Sequence, residues 1–224
     1  MENFKARQTL TEQVAEHLEN QIAFGRLAPG ERIHESKTAK LLGVSHGSVR
    51  EALLVLEKRH LVRNVPRRGS FVTELDAHFV KSLYETLTLY LSHNARRLIT
   101  RYSQADMDRL LSLYDEMQVC FKKGDIPTFL QRGIEYVQIS LNYADNYFVT
   151  SALRDLWPSA KRCAFLALRQ GNQVLDDTLE HMRISLEALE ARDETLLISN
   201  LEDYANQQCQ QVIAALPDTD KAGD

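Results

Sequence analysis

The chain has little cysteine, no long apolar run and almost no net charge, and each of these scarcities narrows what it can be. Cys120, Cys163 and Cys209 are the only three cysteines in 224 residues, far apart and in no C-x-x-C pair. That argues against a disulfide framework and against a zinc cluster, and leaves free thiols as the expectation. No uninterrupted apolar stretch approaches the roughly 18 to 20 residues that span a bilayer. Met1-Glu2-Asn3-Phe4-Lys5 does not open a secretory signal, so a cytoplasmic protein with no membrane partner is expected. There is no Gly-rich phosphate loop, no nucleophile motif and no complete metal-ligand set, so an enzyme has no support beyond lone residues. No internal repeat or low-complexity tract is present. What remains, with 44% hydrophobic and 26% charged residues, is a globular chain of one or two domains.

The net charge of -4 becomes informative once it is divided along the chain. Residues 1–75 hold 12 Lys and Arg against 9 Asp and Glu, whereas the rest holds 15 against 22. Between Arg26 and Arg68 ten basic residues face only Glu31, Glu35, Glu51 and Glu57. A basic module joined to an acidic one is the better description.

In the basic part, Leu10, Val14, Leu18 and Ile22 recur every four residues and Thr9 with Glu12 has capping-box spacing, which predicts a first helix over 10–24. Pro29-Gly30 marks a turn, Ser36 to Leu42 a short second helix stopped by Gly43. Ser45 is the N-cap of a third helix running to about Arg59, with Val49, Ala52, Leu53 and Leu56 facing the core and His46, Gly47 and Arg50 on the other side. Leu61–Val65 and Ser70–Thr73, separated by Pro66-Arg67-Arg68-Gly69, predict a β-hairpin with a basic tip.

After Leu75 no further strand signal occurs, and only Pro127 and Pro158 interrupt the helix-period segments before the tail. Helices are predicted at 77–101, 104–122, 126–144, 147–170, 175–191 and 194–215, with start signals at Ser103, Asp125 and Asp193. Pro217–Asp224 reads as a frayed tail. The fold class is therefore mainly α: a winged helix-turn-helix of three helices and a hairpin over 1–75, then an all-helical bundle over 76–216.

Three short helices and a basic hairpin form a pattern in which the third helix enters the major groove and the wing touches backbone or minor groove. Ser45, Ser48 and the first N–H groups of that helix suit phosphate, His46 and Arg50 suit base edges or phosphate, and Gly47 permits close approach. Arg67 and Arg68 would supply the wing contacts. A cluster of basic residues taken alone more often marks an ordinary solvated face, but here the order of elements places charge where a winged module needs it.

Ile22-x-x-Gly25-x-Leu27-x-Pro29-Gly30, Leu41-Leu42-Gly43-Val44-Ser45, Val49-Arg50-Glu51-Ala52-Leu53-x-x-Leu56 and Pro66-x-Arg68-Gly69-x-Phe71-Val72 resemble the DNA-binding domain of the GntR family of bacterial transcription regulators. The resemblance covers nearly all of residues 10–74. It implies contacts from Ser45, His46, Ser48 and Arg50, wing contacts from Arg68 and Gly69, and further contacts from Arg32, Lys37 and Arg67. Where that family usually reads Ser-Arg-x-Pro-Val-Arg, this chain has Ser45-His46-Gly47-Ser48-Val49-Arg50. These departures bear on operator sequence and affinity rather than on DNA binding itself.

The acidic part resembles the FCD ligand-binding domain of the FadR-like branch, through its strandless helices and through Glu180-His181 followed by Ile184, Ala188 and Asp193. Many such domains hold a divalent metal through an Asp and a His four residues apart, then two His spaced by 22. Anchored on Asp145-Asn146, the first two positions fall on Gly133 and Val137, the third on His181 and the fourth on Asp203. The Arg that often holds an effector carboxylate is replaced by Leu87. A His and one carboxylate are too few for a tight transition-metal site, so no metal and no cofactor is expected.

Leu175, Leu179, Met182, Leu186 and Leu189 form the main stripe of one helix, and His181, Ile184 and Ala188 a second face, which suits a pocket-lining His181. Asp203 shares a polar flank with Asn200 and Gln207, where a solvated carboxylate competes with a ligating one. Losing Asp, His and Arg to Gly133, Val137 and Leu87 predicts a larger, less polar pocket for a partly apolar organic acid or acyl compound. Tyr90, His93, Arg97, Tyr136 and Tyr143 are its candidate polar anchors, with core packing the alternative for each Tyr. The expected protein is a homodimeric, effector-responsive regulator on palindromic double-stranded DNA. The alternative is a helical domain that dimerises and binds no effector.

Overall fold

A computed structural model describes residues 9–216, and the expected tail Pro217–Asp224 lies outside them. The chain divides into two compact units, one running to Glu74 and including Trp157–Arg162, the other comprising Leu75–Leu156 and the residues from Cys163 onward. The grouping of residues 157–162 with the first unit has no counterpart in the helical periodicity.

The first unit starts with α1 (Leu10–Ala23), whose capping box is formed: Glu12 N donates to Thr9 Oγ1 at 3.2 Å and Thr9 N to Glu12 Oε2 at 2.7 Å. Val14, Leu18 and Ile22 are buried, but Leu10 stays 49% exposed, because the first turn extends past the core. After α1 come β1 (Arg32–Ile33), α2 (Glu35–Leu42), α3 (His46–Lys58), β2 (Val62–Val65) and β3 (Gly69–Val72). Gly43 ends α2 in the left-handed conformation at φ 65, where a side chain would be strained. The expected hairpin supplies two strands of a three-stranded antiparallel sheet in the order β1-β3-β2. A two-residue strand is too short to show a period of two, which is why β1 escapes a sequence reading. Val14, Leu18 and Ile22 of α1 join Val49, Leu53 and Leu56 of α3 and Val62 and Val72 of the sheet in one core.

The second unit holds α4 (Ala77–Arg101), α5 (Gln104–Lys123), α6 (Ile126–Leu141), most of α7 (Tyr147–Leu168), α8 (Asn172–Ala191) and α9 (Glu194–Ala214). Caps place the starts: Asp76, Ser103, Asp125, Asn146 and Asp193 each accept a backbone N–H of the first turn. α8 begins three residues before its first expected position, because Gly171 caps it with no side-chain bond and leaves no polar start signal. α6 ends three residues early at Leu141, where Asn142–Ala144 turn towards the cap of α7. Helices α4 with α9, α5 with α6 and α8, and α8 with α9 are packed neighbours. Cys120, Cys163 and Cys209 are buried and stand outside any disulfide among the described residues.

Asn94 of α4 is 0% exposed, and among the described residues neither Oδ1 nor Nδ2 has a partner. A buried polar group without a bond costs about 1 to 3 kcal/mol, and leucine has nearly the shape of asparagine. Asn94→Leu is therefore expected to raise stability by about that amount, or roughly 2 to 4 °C in Tm per kcal/mol for a chain of this size. A melting curve that moves down instead of up would show that the amide has a partner to lose.

Candidate DNA-reading surface and effector cavity

The inner face of α3 decides what its outer face can do. Val49, Ala52, Leu53 and Leu56 are buried to between 0% and 1%, which fixes the helix against α1 and turns His46, Gly47 and Arg50 outward. Ser45 caps the helix by accepting from Ser48 N at 3.0 Å, and the Ser45 and Ser48 hydroxyls are 2.9 Å apart. One hydroxyl hydrogen is used between them and one stays available to an acceptor such as phosphate, next to the unbonded N–H groups of the first turn. The Arg50 side chain is 70% exposed, and its Nη2 reaches Glu35 Oε2 on α2 at 3.1 Å. Such a surface pair contributes at most about 1 kcal/mol, so the guanidinium can exchange Glu35 for another anion.

In the wing, Pro66 and Arg67 occupy a turn closed by Arg68 N donating to Val65 O at 3.0 Å, with Arg67 in the left-handed region at φ 62. Both Arg67 and Arg68 are exposed. Gly69 combines φ 97 with a close approach: a Cβ there would meet Arg32 Nε at 3.2 Å. Phe71 on the central strand pairs with Arg32 on β1 and with Arg63 on β2, so the three residues form a row across one face of the sheet. Arg63 and Arg68 lie over the Phe71 ring at 5.6 and 5.8 Å. Arg63 is absent from the sequence-expected contacts. Its signal was there in the alternation of β2, with Val62 buried and Arg63 exposed, but only strand pairing shows that it stands across from Arg32. Lys37 is exposed on α2.

The second unit holds a partly open cavity of about 140 Å³ lined by residues of α4, α5, α6, α8 and α9. Most of the wall is apolar, including Leu98, Leu110, Val137, Met182 and Leu197, and the polar groups are Tyr136, Ser140, His181, Ser185, Asn200 and Tyr204. The Tyr136 hydroxyl is buried and has no partner among the described residues, and burial pushes its ionisation up. Burial likewise raises Tyr204, against a weaker opposing effect of its bond to Thr178. His181 Nδ1 lies 2.7 Å from Asn200 Oδ1 and Nε2 lies 2.8 Å from Gln207 Oε1.

Of the expected effector residues, the structure brings His181 and Tyr136 to this cavity and leaves the others off its wall. Asp203 is exposed: Asn200, Tyr204 and Gln207 share the inward face of α9, and Asp203 sits about 60° round the helix from Asn200. Arg97 and Tyr143 serve a local network instead. Arg97 Nη2 pairs with Asp145 at 2.6 Å, its Nε donates to Tyr143 O at 3.1 Å, and the Tyr143 hydroxyl donates to Asp106. The Asp106 carboxyl is held below its usual range, first by the Ser103 hydroxyl and then by Tyr143. Tyr90 and His93 are half-buried on α4, and His93 Nε2 has no partner among the described residues.

At Gly133 the neighbouring space is occupied by methionine side chains. A Cβ at Gly133 would meet Met117 Cε at 3.5 Å and Met182 Cε at 3.7 Å, so two flexible methionines fill the room a larger side chain would take. Leu87 is buried away from the cavity wall. Nor do the residues fit a divalent metal. Gly133 and Val137 offer no side-chain ligand, both nitrogens of His181 face amide oxygens, and Asp203 points to solvent. Among the described residues, no three His, Cys, Asp or Glu side chains come together as a metal set.

Residues 10–72 match the family model of bacterial regulatory proteins of the gntR family, and residues 82–198, more than half of the chain, match the FCD domain. An uncharacterized HTH-type transcriptional regulator of Bacillus subtilis, YdhC, is 25% identical over 199 residues, 87% of each chain. The gluconate operon transcriptional repressor of the same organism is 22% identical over 84% of this chain and 79% of its own. Among solved structures, Escherichia coli McbR/YncC superimposes with a TM-score of 0.77 at 21% identity, over 93% of this chain and 99% of that one. A putative GntR regulator from Rhodococcus sp. RHA1 gives 0.74 at 22% identity, over 92% and 99%. At these identities the structural likeness shows the fold alone. The two domain matches, in the order the geometry requires, show that the chain belongs to the GntR family and is a DNA-binding transcription regulator with an FCD effector-binding domain.

Proposed function

We propose that the protein acts as a homodimer that places one α3 in each half of a palindromic operator, and that a small, metal-independent, partly apolar organic acid or acyl compound in the cavity alters its hold on DNA. The reading half rests on one observation: an outward-facing start of α3, with Ser45, His46 and Arg50 exposed and Ser48 partly so, over an inner face buried to 1% or less. Arg32, Arg67, Arg68 and Gly69 of the sheet and wing, joined by Arg63, add phosphate contacts, and Lys37 adds charge on α2. Self-association is supported by Leu111 and Val119, two turns apart on α5 and 44% and 47% exposed. The ligand selects among arrangements of the two reading heads by its differential affinity for them. No described helix is long and apolar enough to cross a membrane, and a DNA reader works beside the genome, so we place it in the cytoplasm.

Light scattering and gel shifts test the DNA half together. A dimer mass is expected, with a palindrome bound far more tightly than its half-site. Log K should fall with log[salt] by about 0.9 per phosphate contact, and each wing arginine removed should flatten that slope by about one unit. A monomer that binds a half-site as tightly as the palindrome would refute the dimeric mode. The modest cavity, about 140 Å³, favours a second reading in which the helical domain only dimerises. Thermal shift against a panel of organic acids, followed by operator binding with each hit, separates the two.

A further inference from the structure

A short chain of hydrogen bonds joins the wing to the reading helix inside the first unit. Along β2 and β3 the inward pair Val62–Val72 is buried to 2% and 0%, in the core shared with α1 and α3. The next pair on that face, one step nearer the tip, is Asn64–Ser70. Apolar packing therefore stops partway along the hairpin, and a two-stranded ribbon beyond a core has little stability of its own. Glu57, in the last turn of α3, holds this part. Its Oε1 accepts the Asn64 backbone N–H at 2.9 Å, and its Oε2 accepts from Asn64 Nδ2 at 2.7 Å. Asn64 Oδ1 then accepts the Ser70 hydroxyl at 2.6 Å.

Each bond in this chain has one direction. The backbone N–H and the amide nitrogen can only donate, so both Glu57 oxygens accept, and Asn64 Oδ1 is left to Ser70, whose hydroxyl supplies the hydrogen. A carboxylate at the C-terminal end of a helix stands against the helix dipole, and the two donors on β2 offset that cost. Ser70 is 5% exposed and Glu57 and Asn64 are half-buried, which limits competition from water. Two residues past Asn64 the tip begins, Pro66-Arg67-Arg68, so any swing at Asn64 is carried straight to the two exposed arginines.

We propose that Glu57 and Asn64 are positioning residues for DNA binding: through Ser70 they lock the outer part of the wing to α3, so that Arg67 and Arg68 meet phosphate while α3 lies in the groove. The inference rests on the reading of those arginines as phosphate contacts. Without the clamp they keep their charge but lose their place, and ordering the tip on DNA then costs entropy. Phosphate contacts carry no sequence information, so the clamp governs affinity and salt dependence and leaves base preference alone.

The test uses the full chain on an operator selected with it from a random duplex library, over a range of salt. Asn64→Ala should weaken binding about tenfold and flatten the slope of log K against log[salt] by roughly one to two units, towards that of Arg67→Ala/Arg68→Ala. In the background lacking both arginines, Asn64→Ala should change affinity by less than about twofold, since nothing is left for the clamp to place. A general loss of stability would weaken both backgrounds alike. Glu57→Gln sets an NH₂ group against one of the two donors and should weaken binding as Asn64→Ala does. Combining Glu57→Gln with Asn64→Asp reverses the bond between the side chains, keeps the net charge and the Ser70 bond, and should restore affinity and slope to within about twofold. A wild-type slope in Asn64→Ala, an undiminished effect of that change without the arginines, or a folded double exchange that fails to restore binding overturns the proposal and leaves the wing contacts standing. If the exchange does not fold, the two Asn64→Ala measurements decide alone. Wild-type affinity and slope in Arg67→Ala/Arg68→Ala would sink the wing reading itself, and the proposal with it.

Discussion

Arg50→Ala is expected to lower operator affinity by about 5- to 150-fold, equivalent to roughly 1 to 3 kcal/mol, with a melting temperature almost unchanged. The two halves of that result have separate physical causes. The side chain is 70% exposed and its ion-pair partner Glu35 is an exchangeable surface contact, so the folded state loses at most about 1 kcal/mol. On DNA the same guanidinium would desolvate against phosphate or a guanine edge, where a charge-assisted bidentate contact is worth far more. Gel shifts at fixed salt, run beside a thermal melt, check both halves at once. Unchanged affinity would remove Arg50 from the reading surface, and a collapse in Tm would mean that it holds α2 to α3.

Leu56→Ala, six residues further along the same helix, should produce the reverse pattern. Leu56 is 0% exposed in the core shared by α1, α3 and the sheet, and truncation there costs about 2 to 5 kcal/mol in transfer energy plus cavity. That is a large share of the roughly 5 to 15 kcal/mol a domain has in total. DNA binding should weaken because fewer molecules present a folded α3, and it should recover on cooling or with a stabilising osmolyte. Arg50→Ala should not recover under those conditions. Hydrogen exchange at the amides of α3 gives the direct reading: protection falls in Leu56→Ala and holds in Arg50→Ala. Equal protection in both variants would mean that the core tolerates the cavity.

These two residues also show why so much of the DNA-reading module is legible without a structure. Val49, Ala52, Leu53 and Leu56 follow the helical repeat, Ser45 stands at the cap, and together they orient Arg50 outward before any tertiary contact is known. The effector domain is less legible for an equally specific reason. In the sequence Asn200 and Gln207 share a polar flank of α9 with Asp203, and spacing along one helix cannot say which edge of that flank faces a neighbour 19 to 26 residues away. Arg97 and Tyr143 had the chemistry of ligand anchors, but the turn after α6 takes both into a network with Asp145 and Asp106.

What the chain determines by itself is local: the capping box at Thr9, the extent of α4, the basic first part and acidic remainder, and the inward stripe of α3. Each depends on residues three or four apart, or on composition, and the backbone repeat converts that directly into geometry. What only the tertiary structure decides is non-local. It pairs the two-residue strand β1 with β3 and sets Arg32 and Arg63 on either side of Phe71. Two methionines lie against Gly133, and the amide oxygens of Asn200 and Gln207 face the His181 ring nitrogens. Packing distributes a fixed volume among neighbours from distant parts of the chain, and that distribution cannot be read from any one of them alone.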